Sequence, residues 1–241
     1  MKILDVSYAQ PSIDYSLAAK DIEGVIIRCG RTLWGNFEPG ADAYWEAHYK
    51  GLHSAGVPVG AYYYGVAKTH AEAKIEAETC IKLLEGKKLE LPVYYDVEEA
   101  NTQGSIQDLT PIVEAFCKSL EDAGYFAGFY TMLSWAQSKM DYPSLAKQFT
   151  SWIAWLDGDP ADKLTPAPDA HQYTWKGKCS GISGGVDYSN FYRDFPSIIK
   201  SAGLNGYGNS GDDQKEEPSS VITWEEAAKK LKLLGYSSIK L

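Results

Sequence analysis

The rhythm of this chain limits its fold more than any other feature: short apolar runs that read as strands alternate with helical stretches along the first two hundred residues. Strand-like runs lie at 3–6, 24–29, 59–64, 92–97 and 126–130, and runs at 151–155, 171–175 and 185–188 bring the series to eight. Helical patterns separate the early ones, at 15–20, 44–55 and 69–84. The third of these opens with the capping-box sequence Thr69-His70-Ala71-Glu72. A fourth begins at Thr110-Pro111, read as an N-cap followed by a proline in the first turn, and stops at Gly124. A short helix is expected at 134–139, residues 99–105 read as a loop, and the last three strand runs are joined by loops. Alternation of this kind with eight strands specifies an α/β protein built as an irregular TIM-like β/α barrel, its helices reduced in the last third. A doubly wound sheet is the rival architecture, but no G-x-G-x-x-G follows the first strand.

Composition narrows the function. The chain has 241 residues, 44% of them hydrophobic, and a formal charge of −9. A nucleic-acid binder needs a basic face to release counterions from phosphate, and so acidic a chain lacks one. Charge also disfavours attachment to anionic surfaces, so an acidic polymer would have to be held by shape, hydrogen bonds and stacking. The 17 Tyr and 7 Trp suit that task, although core packing accounts for most of them. Cys29, Cys80, Cys117 and Cys179 form no C-x-x-C pair; the first three lie in apolar strand-like or helix-like runs, which makes free buried thiols the default reading and a disulfide the alternative, and no metal site and no cofactor is expected. The opening residues carry no apolar signal stretch and no segment reaches membrane-span length. The expectation is therefore a protein made in the cytoplasm, not inserted in a membrane, and released by another component if it acts outside.

The chemistry lies at the strand ends. Asp96-Val97-Glu98 closes the run Leu91-Pro92-Val93-Tyr94-Tyr95, and the period of two puts both carboxylates on one face. Two acids that close cannot both ionise cheaply in a partly dry site, so one retains its proton near neutrality and serves as a general acid. A pair of this kind suits the scissile bond of a glycoside. For an arbitrary D-x-E the bland reading, a solvated acidic strand end, has the better odds. Here Asp5 ends the first strand run and Asp187 the eighth, which become neighbours when a barrel closes. Four acids at equivalent ends shift the balance toward a site.

Seven motifs in order carry a specific resemblance: Asp5-Val6-Ser7, Gly60-Ala61-Tyr62-Tyr63-Tyr64, Tyr94-Tyr95-Asp96-Val97-Glu98, Gly128-Phe129-Tyr130, Trp152-Ile153-Ala154-Trp155, His171-Gln172-Tyr173 and Val186-Asp187-Tyr188-Ser189. Over residues 1 to about 200 the chain resembles the family 25 glycoside hydrolases, Chalaropsis-type lysozymes common among phage endolysins. The resemblance implies a flattened barrel that cleaves the β-1,4 bond between N-acetylmuramic acid and N-acetylglucosamine in bacterial peptidoglycan, and release by a holin-like route. It makes Glu98 the proton donor and Asp96 the assisting group, which orients and polarises, with Asp5 and Asp187 shaping the charge around them. Attack by the substrate's 2-acetamido group held by Asp96 and direct attack by a carboxylate both stay open, since distances decide between them. Tyr62, Tyr64, Tyr130 and Trp155 would flank the groove, each with a core-packing role as the competing reading. Gln172 would bond a sugar hydroxyl or merely the backbone. Arg28 stands in Ile27-Arg28-Cys29-Gly30, where the family commonly has a Lys-containing run; it either lines the site or pairs with one of its acids.

Other readings are a glycan-binding barrel without chemistry, a carboxylate metal site, and a chitinase-type barrel. The first has no need of an acid pair, and a wall-turbidity assay separates it. The second has no H-E-x-x-H among the four histidines and would lose activity in chelator. The third usually carries another Asp two residues before the pair, where this chain has Tyr94. From residue 204 the composition turns Gly-, Ser- and charge-rich, so the chain divides into a catalytic barrel at 1–203, a linker at 204–220 and a short helical segment at 221–241. In the last segment Trp224, Leu231 and Leu234 fall on one helical face, which invites docking, a wall-binding or assembly role, or self-association.

Overall fold

The computed structural model of the protein describes residues 1–208. Nine strands form one sheet: β1 Lys2–Val6, β2 Gly24–Leu33, β3 Glu38–Ala41, β4 Val59–Tyr64, β5 Val93–Asp96, β6 Ala127–Met132, β7 Thr150–Ala154, β8 Ala170–Gly177 and β9 Val186–Phe191. Their order is β1-β9-β8-β7-β6-β5-β4-β2-β3, and β1 also pairs with β2, so eight strands close a barrel and β3 lies on the outer part of β2. All neighbouring pairs from β1 through β2 and β4 to β8 are parallel; β9 runs antiparallel to both β8 and β1.

Alternation along each strand sorts side chains between two hydrophobic layers. Leu4, Val25, Ile27, Tyr63, Tyr95, Phe129 and Ile153 point outward into the layer they share with the surrounding helices. Ile3, Ile26, Tyr94, Tyr130, Trp152 and Phe191 point inward. The inner rings meet edge to face, with centroids 5.2 Å apart for Tyr94–Trp152, 4.6 Å for Tyr130–Trp152 and 5.8 Å for Trp152–Phe191. Gly128 makes room for this plug: a Cβ there would lie 2.7 Å from the Tyr94 ring and 2.5 Å from Thr150. The lower barrel is therefore solid, and only its mouth is open to a ligand.

The capping box at Thr69 forms as its sequence requires, with Glu72 N donating to Thr69 Oγ1 at 3.2 Å and Thr69 N to Glu72 Oε2 at 3.0 Å. Elsewhere the structure departs from the sequence reading. Thr110 is not an N-cap; Leu109 holds that position, and Asp108 Oδ1 accepts from Thr110 N at 2.9 Å. The stretch expected as a loop contains the helix Ala100–Gln103, and Phe195–Ala202 is a further helix, capped by Asp194. The eighth barrel strand is reversed, because residues 178–185 are too few for a crossover and make a hairpin.

Residues 204–207 do not belong to a linker. Leu204 and Asn205 are fully buried, and the Asn205 amide accepts from Phe126 N at 2.7 Å and donates to Leu89 O and Leu91 O at 3.2 and 2.9 Å. Tyr207 donates to Glu90. The rest of the proposed linker and the segment 221–241 lie outside the described residues.

Candidate active site

The acids gather because the strands that carry them are in register. Tyr64 aligns with Asp96, and Asp96 with Tyr130. Glu98 follows Asp96 by two residues on the same side, just past the end of β5. Asp5 lies directly opposite Asp187 across β1–β9. Since β9 is reversed, Asp187 stands near the beginning of its strand rather than at its end, yet arrives at the same mouth of the barrel. Asp5, Asp96, Glu98 and Asp187 line one cleft of about 300 Å³ together with Tyr62, Tyr130, Trp152 and Gln172.

Gln172 reaches across the floor of this cleft. Its Nε2 donates to Asp5 Oδ2 at 3.2 Å while its Oε1 accepts from Tyr130 OH at 2.9 Å, which fixes the orientation of the amide. Asp96 is 5% exposed, and among the described residues no donor reaches its Oδ1. An unpaired buried acceptor costs about 1–3 kcal/mol, so its retention marks a place where a ligand donor is wanted.

Every carboxyl in the cleft is shifted upward. Burial raises Asp5 well above the ordinary range, reinforced by Asp187 and Glu98 and opposed by the Gln172 hydrogen bond. Burial likewise raises Asp96, with Glu98 and Asp5 adding to it and the Arg28 charge opposing. Glu98 is raised by burial and then by Asp187, with Tyr130 partly offsetting; Asp187 is raised by burial. The four acids thus share protons at pH values where a solvated carboxyl has lost its own, as coupled groups do. Burial also raises the Tyr62 and Tyr130 phenols, which remain proton donors.

Seven of the ten residues marked from the sequence meet here: the four acids, Tyr62, Tyr130 and Gln172. Three do not line the cleft. Tyr64 is directed to Glu99, donating to its Oε2 at 2.8 Å. Trp155 lies beyond the end of β7, where its carbonyl bonds His171 Nε2 at 2.7 Å. Arg28 is buried and does pair with an acid, but that acid is Asp42, at 2.7 Å through Nε. Asp42 also accepts from Tyr8 N at 3.1 Å, and the Tyr8 ring lies 4.5 Å from the guanidinium. Trp152 is the lining residue that the sequence reading passed over in favour of Trp155. Its pairing with Tyr130 turns it into the barrel, and its Nε1 donates to Ser189 Oγ at 3.0 Å. The signal was present, since strand parity separates Trp152 from Ile153. Among the described residues no three His, Cys, Asp or Glu side chains are arranged to hold a metal ion, no helix is long and apolar enough to cross a membrane, and Cys29, Cys80, Cys117 and Cys179 are free, buried thiols.

A closed β/α barrel with an acid cluster at its mouth is the architecture of a glycosidase, and the comparisons give the family. The model of the glycosyl hydrolases family 25 matches residues 4–182, and the chain belongs to that family. Among solved structures it is similar to the CTP1L endolysin, with a TM-score of 0.70 and 26% identity over 83% of this chain and 69% of that one. It is also similar to the modular autolysin LytC of Streptococcus pneumoniae, with a TM-score of 0.67 and 26% identity over 78% of this chain; the match spans 46%, about half, of LytC. The bacterial lysozyme of Streptomyces coelicolor, at 19% identity, shares the fold with a TM-score of 0.61 over 87% of this chain and 97% of its own. Comparison with curated proteins returned no match.

Proposed function

We propose that the protein is a cell-wall lysozyme that hydrolyses the β-1,4 bond between N-acetylmuramic acid and N-acetylglucosamine in peptidoglycan. The observation that carries this reading is the cleft itself, in which Glu98 and Asp96 share one face with Asp5 and Asp187 and all four hold protons unusually tightly. Family membership supports glycoside hydrolysis. LytC, whose structure has been solved with a synthetic peptidoglycan ligand, supports the choice of substrate.

In this reading the substrate sorts the protons. Its acetamido N–H donates to the unpaired Asp96 Oδ1, and a donor to a carboxylate favours the ionised form. Asp96 is then the anion that holds the acetamido group for attack at the anomeric carbon, and Glu98 is the acid that protonates the departing glycosidic oxygen. Where Asp5, held by Gln172, and Asp187 give up their shared protons, their negative charge favours the positive charge that develops on the sugar. Mass spectrometry of digested walls tests the assignment: the new reducing end should lie on N-acetylmuramic acid. New reducing ends on N-acetylglucosamine, or freed peptides without new reducing ends, would refute it.

A further inference from the structure

We propose that Tyr8, Trp34 and Trp175 form an aromatic stacking surface that binds the glycan strand outside the cleft. This deepens the reading of the cleft as a muramidase site. The cleft is an opening at the barrel mouth lined by eight residues, too small to enclose a polymer, so a strand cut there must continue over the rim. Net negative charge disfavours holding such a strand by long-range attraction, so stacking on the apolar faces of its sugar rings joins hydrogen bonds as the available contact.

Two irregularities in β8 place Trp175. Gln172 pairs with Ser189 and Thr174 with Tyr188, a shift that leaves Tyr173 and Thr174 opposite one residue; Tyr173 and Tyr188 both pack on the outer layer. The next matched pair is Gly177 with Val186, so Trp175 and Lys176 together oppose Asp187. Opposed residues share a face, and a bulge re-aims a side chain. Trp175 is therefore delivered to the strand position that faces Asp187, and it remains 55% exposed. Asp187 lines the cleft.

On the other flank of β1, Arg31 of β2 is level with Tyr64 and hence with Asp96. The β2–β3 hairpin continues beyond that level, at about 3.3 Å per residue, and carries Trp34, which is 63% exposed. Tyr8, 50% exposed, follows the end of β1 between the two hairpins, with the Arg28 and Arg31 guanidiniums 4.5 and 5.4 Å from its ring. A lone exposed aromatic such as Tyr192 needs no account, whereas three beside one mouth of the barrel call for one.

The test uses full-length protein carrying Glu98→Gln, with Trp34→Ala and Trp175→Ala added singly and together, and purified insoluble peptidoglycan as the probe. Each added substitution should weaken binding by roughly tenfold, the scale of an aromatic anchor, with the melting temperature unchanged. In the catalytically intact background the rise in KM should grow with glycan chain length. Binding and KM unchanged by both substitutions would overturn the proposal even if the parent hydrolyses walls. Trp-dependent binding with no release of reducing sugar by the parent would instead keep the rim and remove the muramidase reading.

Discussion

Asp5 and Asp187 face each other directly across two antiparallel strands, an arrangement in which like charges oppose folding. Among the described residues neither forms an ion pair, and each is held above the ordinary carboxyl range. A fold that tolerates this pairing keeps a charge pattern its own stability does not favour, as active sites commonly do.

The sign of that tension is measurable. A carboxyl whose folded pKa is raised gives its full stabilisation below the unfolded value near ~4 and loses it as pH rises through the folded value. Asp187→Asn removes one charge from beside Asp5 and Glu98, so it should raise the melting temperature at pH 7 to 8, by roughly 2–4 °C for each kcal/mol relieved. The gain should shrink toward pH 4. Calorimetry across that range checks it, and a gain independent of pH would exclude this cause. Hydrolysis by the same variant should be measurably impaired.

Glu98→Gln should remove about 10²–10⁴-fold of the hydrolytic rate, the span of a lost general acid, while the far-ultraviolet dichroism and wall binding persist. Asp96→Asn should be similarly severe. A folded Glu98→Gln protein turning over near the parent rate would sink the assignment.

Activity should follow a bell in pH, falling on the alkaline side as Glu98 loses its proton and on the acid side as Asp96 gains one. Arg28 is the cation that opposes the rise of Asp96, although its own hydrogen bond goes to Asp42. Arg28→Gln should therefore move the acid limb to higher pH, and Arg28→Lys should restore part of the shift. Profiles of kcat against pH for the three proteins give the answer; coincident acid limbs would show that Arg28 is structural only.

The buried contacts of Leu204 and Asn205 set where the chain can be cut. A protein ending after residue 208 should fold and hydrolyse soluble muropeptide chains at about the full-length rate, because the residues named in the cleft all lie between Asp5 and Asp187. One ending at residue 203 loses the Asn205 cap on the Phe126 amide and should melt well below it. Thermal melts and reducing-sugar assays on both proteins decide the matter.

The sequence made the barrel legible because its strands are buried on both faces and therefore read as compact apolar runs. The acids were legible because strand ends and a period of two are local properties. What escaped was set by partners far along the chain. β3 has the sequence Glu38-Pro39-Gly40-Ala41, with no strand propensity, and exists because the exposed upper edge of β2 offers it pairing. Arg28 finds Asp42 only because that hairpin folds back. The reversal of β9 depends on loop length, which an apolar pattern does not encode. Leu204 and Asn205 sit in a Gly-rich stretch whose composition is that of a linker, yet one amide satisfying three backbone groups holds them in place.

The pairing of residue 5 with residue 187 has a consequence for the protein's birth. The first strand of the barrel has no partner on one edge until the last has been synthesised, and contacts so distant in sequence form late. A nascent chain therefore carries Asp96 and Glu98 long before it has a cleft, and a partly made molecule should be inert. Arrested chains that stop short of β9 should show no hydrolysis and rapid proteolysis, whereas chains extended past residue 208 should show neither deficit. On the proposed function, hydrolysis is thus withheld until the last strand of the barrel has been made, by topology alone.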